Sequence, residues 1–192
     1  MSRDAYHHGD LKAAILAQAA DLVAERGADG ISLRELARAA GVSHAAPAHH
    51  FTDRRGLFTS LASEGWRKLA AALEGARPEF IDAAMAYVRF ALDHPGHYAV
   101  MFDRSLVDPE NAELIAAQDA AGAELARGVG TLDDARAAKD PTGAGLAAWS
   151  LVHGFSLLWL NGNIPAMDGY SDDEVDPMET VHRVAGMLFK SG

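Results

Sequence analysis

The sequence predicts an all-α chain, and three observations carry that reading. Apolar residues recur at helical spacing along nearly the whole length. Alternating Val/Ile/Thr runs, the mark of half-buried strands, are almost absent. Glycine and proline punctuate the gaps between the apolar-periodic stretches, as helix stops do. With 192 residues, 49 % of them apolar and 23 % charged, the composition is that of an ordinary globular protein. The length suits one domain, or a small module joined to a larger one.

A first helix spans about Gly9 to Arg26, with Leu11, Ile15, Leu22 and Val23 as its apolar positions and Gly27 as its stop. A short second helix, Leu33 to Ala40, is capped by Ser32, and Glu35 stands third after that cap, as a capping box requires. Gly41-Val42 makes a tight turn, and Ser43 caps a third short helix running to about His50. The fourth helix runs from Asp53 to about Glu74 through Leu57, Phe58, Leu61, Trp66 and Leu69; Gly75-Ala76-Arg77-Pro78 breaks it. Glu79 to Asp93 and Gly96 to Phe102 form two more, separated at Pro95. Arg104 to Asn111 reads as loop, Ala112 to Val129 as an Ala/Glu-rich helix, and Asp133 to Gly143 as a second loop. The apolar helix Leu146 to Leu160 ends at Asn161-Gly162-Asn163. An acidic stretch (Asp172, Asp173, Glu174, Asp176) then leads to a last helix, Pro177 to Phe189.

Composition removes several classes of chemistry. The chain has no cysteine, which excludes disulfides, thiolate catalysis, cysteine-ligated zinc and iron–sulfur clusters. The opening MSRDAYHHGDLKAA has no apolar signal core, so a cytoplasmic location is expected. Residues 141–167 contain no Asp, Glu, Lys or Arg, enough to raise a spanning helix. Ser150, His153, Ser156 and the glycines Gly143, Gly145 and Gly154 speak against one, as do the flanking Asp140 and Asp168; a helix buried on most sides in a protein or dimer is the expectation. The net charge of −10 is unevenly spread. Residues 1–70 hold 9 Lys and Arg against 8 Asp and Glu, whereas 71–192 hold 8 against 19. Anion binding is therefore permitted at the N-terminal end only.

That end carries a recognisable constellation. Leu33-Arg34-Glu35-Leu36-Ala37-Arg38-Ala39-Ala40-Gly41-Val42-Ser43 has the helix-turn-helix pattern. Ala37 is small where the helices cross, Gly41 supplies the positive φ that the turn needs, and Leu36 and Val42 anchor the pair. The second helix of such a pair protrudes and enters a major groove about 12 Å wide. An ordinary αα-corner has the same pattern.

The run from Leu11 to Phe58, with ISLRELARAAGVS, then HHF, then a polar stretch and GLF, resembles the DNA-binding domain of the tetracycline-repressor (TetR) family. The opening YHHGDLKAAILAQAADLVAERG, GVSHAAP, HPGHYAVMF at 94–102 and Trp149-x-x-x-His153-Gly154 resemble the branch named for a C-terminal Trp-His-Gly motif. The resemblance implies that Ser43 caps a recognition helix on which His44 and His49 are the polar side chains, with Ala45 and Ala46 able to meet thymine methyls. It also puts Thr52, Arg54 and Arg55 where the family commonly has a phosphate-binding Lys, with Ser32 and Arg34 as further phosphate candidates at a helix N-terminus. Three residues depart from the pattern. Ala48 stands where Tyr is usual, Pro47 falls near the first turn of the helix, and Arg55 replaces a common Glu. His7 and His8 read as a tail or as an arm touching DNA, His50 as a packing or solvent-facing residue, and Arg26 and Arg38 as solvated face charges.

Residues 75–192 resemble the family's helical ligand-binding and dimerisation region. The expected division is a DNA-binding domain at 1–52, a connecting helix at 53–74 and an effector and dimerisation domain at 75–192. Tyr87, Phe90, His94, Tyr98, Met101, Phe102, Trp149, His153 and Trp159 are candidates for an effector cavity, against the plainer view that most are core. His153 shares a helix face with Trp149, and a buried histidine there needs a hydrogen-bond partner. Leu146 to Leu160, with the stripe Val181, Val184, Met187 and Leu188 on the final helix, suits a four-helix homodimer interface about a two-fold axis. Such a dimer offers two recognition helices to a palindromic operator. The expected protein is a repressor released from double-stranded DNA by a small-molecule effector of unknown identity, with no cofactor and no membrane partner. One alternative is a metal-responsive regulator using His94, His97 and His153. An enzyme is the other; there is no GxSxG, HExxH, P-loop or dinucleotide fingerprint, and the pair His153 and Ser156 lacks a positioned acid. A pure interaction module is disfavoured by the helix-turn-helix.

Overall fold

A computed structural model describes residues 3–43, 46–76, 80–164, 167 and 175–188, the side chains of 3–10 and 188 excepted. Among these residues there are ten α-helices and no strand. They are α1 (Arg3–Arg26), α2 (Leu33–Ala39), α3 (Ala46–Phe51), α4 (Arg54–Gly75), α5 (Phe80–Asp93), α6 (Pro95–Met101), α7 (Ala112–Gly130), α8 (Ala135–Lys139), α9 (Pro141–Leu160) and α10 (Pro177–Leu188). The all-α expectation holds. One stretch differs from the sequence reading in a way that matters. Residues 133–143, expected as loop, contain α8 and the first turn of α9. The cause is a pair of aspartate caps: Asp134 accepts the Arg136 amide at 2.8 Å, and Asp140 accepts the Gly143 amide at 2.9 Å. Pro141 follows the second cap, at a position whose amide has no helical partner to lose.

Packing gathers the chain into two units, Met1–Trp66 with His94–Gln118, and Arg67–Asp93 with Asp119–Gly192. In the first, α1, α2 and α3 pack together and α6 lies along α1. Ile15, Val23, Ile31, Leu36, Phe51, Leu57, Phe58 and Leu61 are enclosed there. Burying each large apolar side chain is worth about 1.5–3 kcal/mol. α6 comes so near α1 that a Cβ at Gly96 would collide with the Ala20 carbonyl, so only glycine fits the crossing.

In the second unit α5 packs on α9 and α10, α10 on α9, and α8 on α9. Tyr87, Val88, Phe90, Val152, Phe155, Val181 and Ala185 are buried. A satellite cluster of Val129, Ala137, Ala144 and Ala148 gathers Phe80, Leu125 and Leu132 around it. α9 is long and apolar enough by length and composition to cross a membrane. The sequence predicts burial on most sides in a protein or dimer, and within this one chain 22 % of its apolar window is buried. Leu146, Trp149, Leu157, Leu158 and Leu160 are exposed along it, as is Met187 on α10.

Candidate functional site

The helix-turn-helix is built as its residues dictate. The Ser32 hydroxyl accepts the Glu35 amide at 3.2 Å and starts α2. Only half of the expected capping box forms, because the Glu35 carboxylate is drawn to the Arg26 guanidinium at 2.5 Å instead. Arg26 is thus an ion-pair partner and not merely a solvated charge. Leu36 and Ala37 are fully buried, and Val42 is half-buried. Gly41 turns with φ +66°, and the Val42 amide returns to the Ala37 carbonyl at 3.0 Å. Ser43 is exposed, and its carbonyl accepts the Ala46 amide at 3.0 Å. His44 and Ala45 lie outside the described residues, as do the side chains of His7 and His8.

On α3, Pro47 and Phe51 face inward, Ala46 and His50 are half-buried, and Ala48 and His49 face out. Pro47 sits in the first turn, where an α-helix makes no use of the amide, so it is accommodated. Thr52 then adopts φ +59°, a left-handed conformation that a β-branched residue rarely takes. Asp53 caps α4 by accepting the Gly56 amide at 2.7 Å.

The two arginines that follow do different work. Arg54 turns inward: its Nε donates to the Ile31 carbonyl at 3.0 Å and its Nη2 to the Ala28 carbonyl at 2.8 Å, with the guanidinium 4.7 Å over the Phe58 ring. It braces the α1–α2 turn. Arg55 is exposed, with Nε donating to the Val107 carbonyl at 3.1 Å. Arg34 is exposed on α2. Sequence reasoning missed the Arg54 brace, because nothing local links residue 54 to carbonyls more than twenty positions earlier.

The expected effector residues divide between the units. Tyr98 and Met101 belong to the core of the first. Phe102 meets Tyr98 and Trp66 edge-on at 5.2 and 5.0 Å, while the His94 ring stands 5.6 Å from that of His97. His97 Nε2 is 3.3 Å from Glu64. Among the described residues no three metal-ligating side chains come together, so His94, His97 and His153 form no ligand set.

In the second unit three of the candidates do converge. Trp149 Nε1 donates to the Tyr87 hydroxyl at 3.3 Å, and that hydroxyl is 3.1 Å from His153 Nδ1. Indole N–H only donates, so the arrangement using each group once has Tyr87 donating to Nδ1 and the His153 proton on Nε2. Burial pushes the His153 pKa down, which favours this neutral ring. Phe90 is core, and Trp159 stacks on Phe155 at 5.7 Å.

Beside Trp149 an open groove of about 400 Å³ runs between α7 and α9. Leu125, Val129, Leu146 and Trp149 give it apolar walls, Thr142 the polar touch, and no charged side chain lines it. Of these only Trp149 is among the candidates read from the sequence. Leu125 and Val129 carry no signal beyond ordinary helical spacing.

The comparisons with known proteins agree with this construction. Residues 15–61 match the model of bacterial regulatory proteins of the tetR family, and residues 80–184 match that of the tetracyclin repressor-like C-terminal domain. No curated protein matches the sequence. A protein of unknown function from Rhodococcus sp. RHA1 is 35 % identical, with 96 % of each chain covered and a TM-score of 0.73. The TetR family transcriptional regulator PfmR from Thermus thermophilus shares the fold at 22 % identity and TM-score 0.65, over 92 % of this chain and 97 % of its own. So does AibR, solved with isovaleryl coenzyme A and operator DNA, at 18 % identity and TM-score 0.66 over 95 % and 100 %. The C-terminal match alone spans more than half of the sequence, and the chain belongs to the TetR family of transcription regulators.

Proposed function

We propose that the chain is a cytoplasmic, homodimeric repressor whose hold on a palindromic operator is released by a small apolar effector. The observation that carries the DNA reading is the α2–turn–α3 unit, with Leu36, Ala37, Pro47 and Phe51 inward and His49 outward. Residues 1–52 serve as the reading head, 53–74 as the connecting helix and 75–192 as the effector and dimerisation part. Arg34, Arg55 and Ser43, with Ser32 and Thr52, meet phosphates; His49, with His44, Ala45 and Ala46, meets base edges. Arg54 positions the head instead, because its donors are committed to Ala28 and Ile31. Ala48 faces out with nothing to donate, so affinity rests on fewer contacts.

The effector reading rests on the α7–α9 groove and the Trp149–Tyr87–His153 chain beside it. Uncharged walls suit an uncharged hydrocarbon group, such as a short acyl chain. The fold-level likeness to AibR, solved with an acyl coenzyme A, supports that class. The work is binding and switching; an effector moves the equilibrium only by preferring one state of the dimer.

The test is a mobility shift on the DNA upstream of the chain's own gene, across a salt series. A shift that weakens steeply with salt is expected, with Arg34→Ala lowering the slope by about one contact. Short acyl esters should then release the wild-type complex, and Trp149→Ala should blunt that release more than it changes DNA affinity. Absence of any shift from a folded dimer would overturn the reading.

A further inference from the structure

We infer that the first unit holds a second, polar ligand site, a cavity of about 320 Å³ at the α3–α4 turn that takes a small zwitterion of amino-acid chemistry. The cavity draws Lys12 from α1, Thr52 from the turn, Arg55 and Ser60 from α4, and Asn111 and Glu113 from the start of α7. His50, Asp53 and Asp108 also line it, and several of the wall's polar atoms are engaged. The Thr59 hydroxyl donates to the Arg55 carbonyl at 2.7 Å and accepts the Asp108 amide at 2.9 Å. Ser63 donates to the Thr59 carbonyl at 2.7 Å. Asp53 and Asp108 each accept a backbone amide, from Gly56 at 2.7 Å and Glu110 at 3.1 Å.

What remains is a complementary set. Lys12 and Glu113 line the same space yet make no ion pair with each other among the described residues. Asn111 spends its carbonyl oxygen on the Leu114 amide at 3.0 Å, so its amide hydrogens are the part it offers. Arg55 is held by Nε alone, which fixes its fork at the cavity. Cations, amide donors and carboxylates (Glu113, with Asp53 and Asp108 beside it) around one space match an ammonium and a carboxylate on one molecule. An anion alone would leave the carboxylates unanswered, and a cation alone would leave Lys12 so. Thr52 adds an independent pointer. Its left-handed φ is a strain that glycine would relieve, and strained residues concentrate at ligand contacts.

Titration calorimetry and thermal shift with the free α-amino acids at millimolar concentration test the site. Acetate, butylamine and inorganic phosphate serve as single-charge controls. At least one amino acid is expected to bind and to raise Tm, while its amide and N-acetyl derivatives do not. Lys12→Met and Glu113→Gln should each weaken binding by about tenfold or more, and Lys12→Arg should restore part of it. Failure of every amino acid to give heat or a Tm shift would overturn the proposal. So would binding unchanged in both variants, or phosphate binding as tightly as any amino acid. A lower salt slope for Lys12→Met on operator DNA would instead assign Lys12 to a DNA phosphate and overturn it too.

Discussion

Side chains of one type take different roles according to what they touch. Arg54 and Arg55 are adjacent, but only Arg54 spends two donors on backbone carbonyls. Removing it leaves those acceptors short and loses the stacking on Phe58, so Arg54→Ala should cost about 2–3 kcal/mol of stability. Denaturant unfolding reads that loss; the salt slope of operator binding, measured where the variant stays folded, should not move. A drop in slope without a loss of stability would make Arg54 a phosphate ligand after all. His153 titrates differently in the folded and unfolded chain. Its pKa is depressed by burial, so the unfolded chain takes up the proton more readily than the folded one. Its contribution to stability is therefore whole above the ordinary histidine value of about 6.5 and declines as pH falls through it. Tm should fall between about pH 7 and about pH 5, and His153→Gln, which can still accept from Tyr87, should flatten that part of the profile. An unchanged profile would remove His153 as the titrating group.

Caps and close crossings decide where the elements begin and how tightly they meet. α9 starts at Asp140, not at the first apolar residue, and Asp140→Ala should cost about 1 kcal/mol. Calorimetry reads it; no change would mean Pro141 alone sets the start. Gly96→Ala should cost more, about 3 kcal/mol, since its Cβ would press α6 off the Ala20 backbone. These two positions also show what the sequence makes legible. The run Leu33–Ser43 is legible because each of its roles is local: a cap, a small crossing residue, a glycine turn. Gly96 gives no local sign, because its partner lies 76 positions earlier on another helix. α8 is hidden for a different reason. Ala135–Lys139 is too short for apolar periodicity to register, and its only signal is the Asp134 cap. The effector candidates follow aromatic identity, whereas the groove walls are mostly aliphatic and glycine, residue types that look like any core.

For the whole molecule, the exposed side of α9 is what calls for a second copy. Leu146, Trp149, Leu157 and Leu160 are separated by three, eight and three residues, which puts them on one helix face. The first two border the α7–α9 groove, while Leu157 and Leu160, with Leu158 and Met187, have no such role. A contiguous apolar surface of this kind is characteristic of an obligate interface, and a two-fold axis would set α9 and α10 against their copies. His153, four residues from both Trp149 and Leu157, lies on this same face and is tied to the Tyr87 hydroxyl, while α5, α8 and α10 pack against the helix within the second unit. Leu157→Glu with Leu160→Glu should therefore yield a folded monomer by analytical ultracentrifugation, with its helical content kept by circular dichroism. The operator consequence follows from linkage. Two tethered heads bind two half-sites with an effective concentration that a lone head lacks, so the monomer should lose about 10²-fold or more in operator affinity. Binding to a single half-site should change little, since α3 is not touched. A double variant that remains dimeric would move the interface off α9, and a monomer that keeps full operator affinity would show that the two heads do not act as a pair.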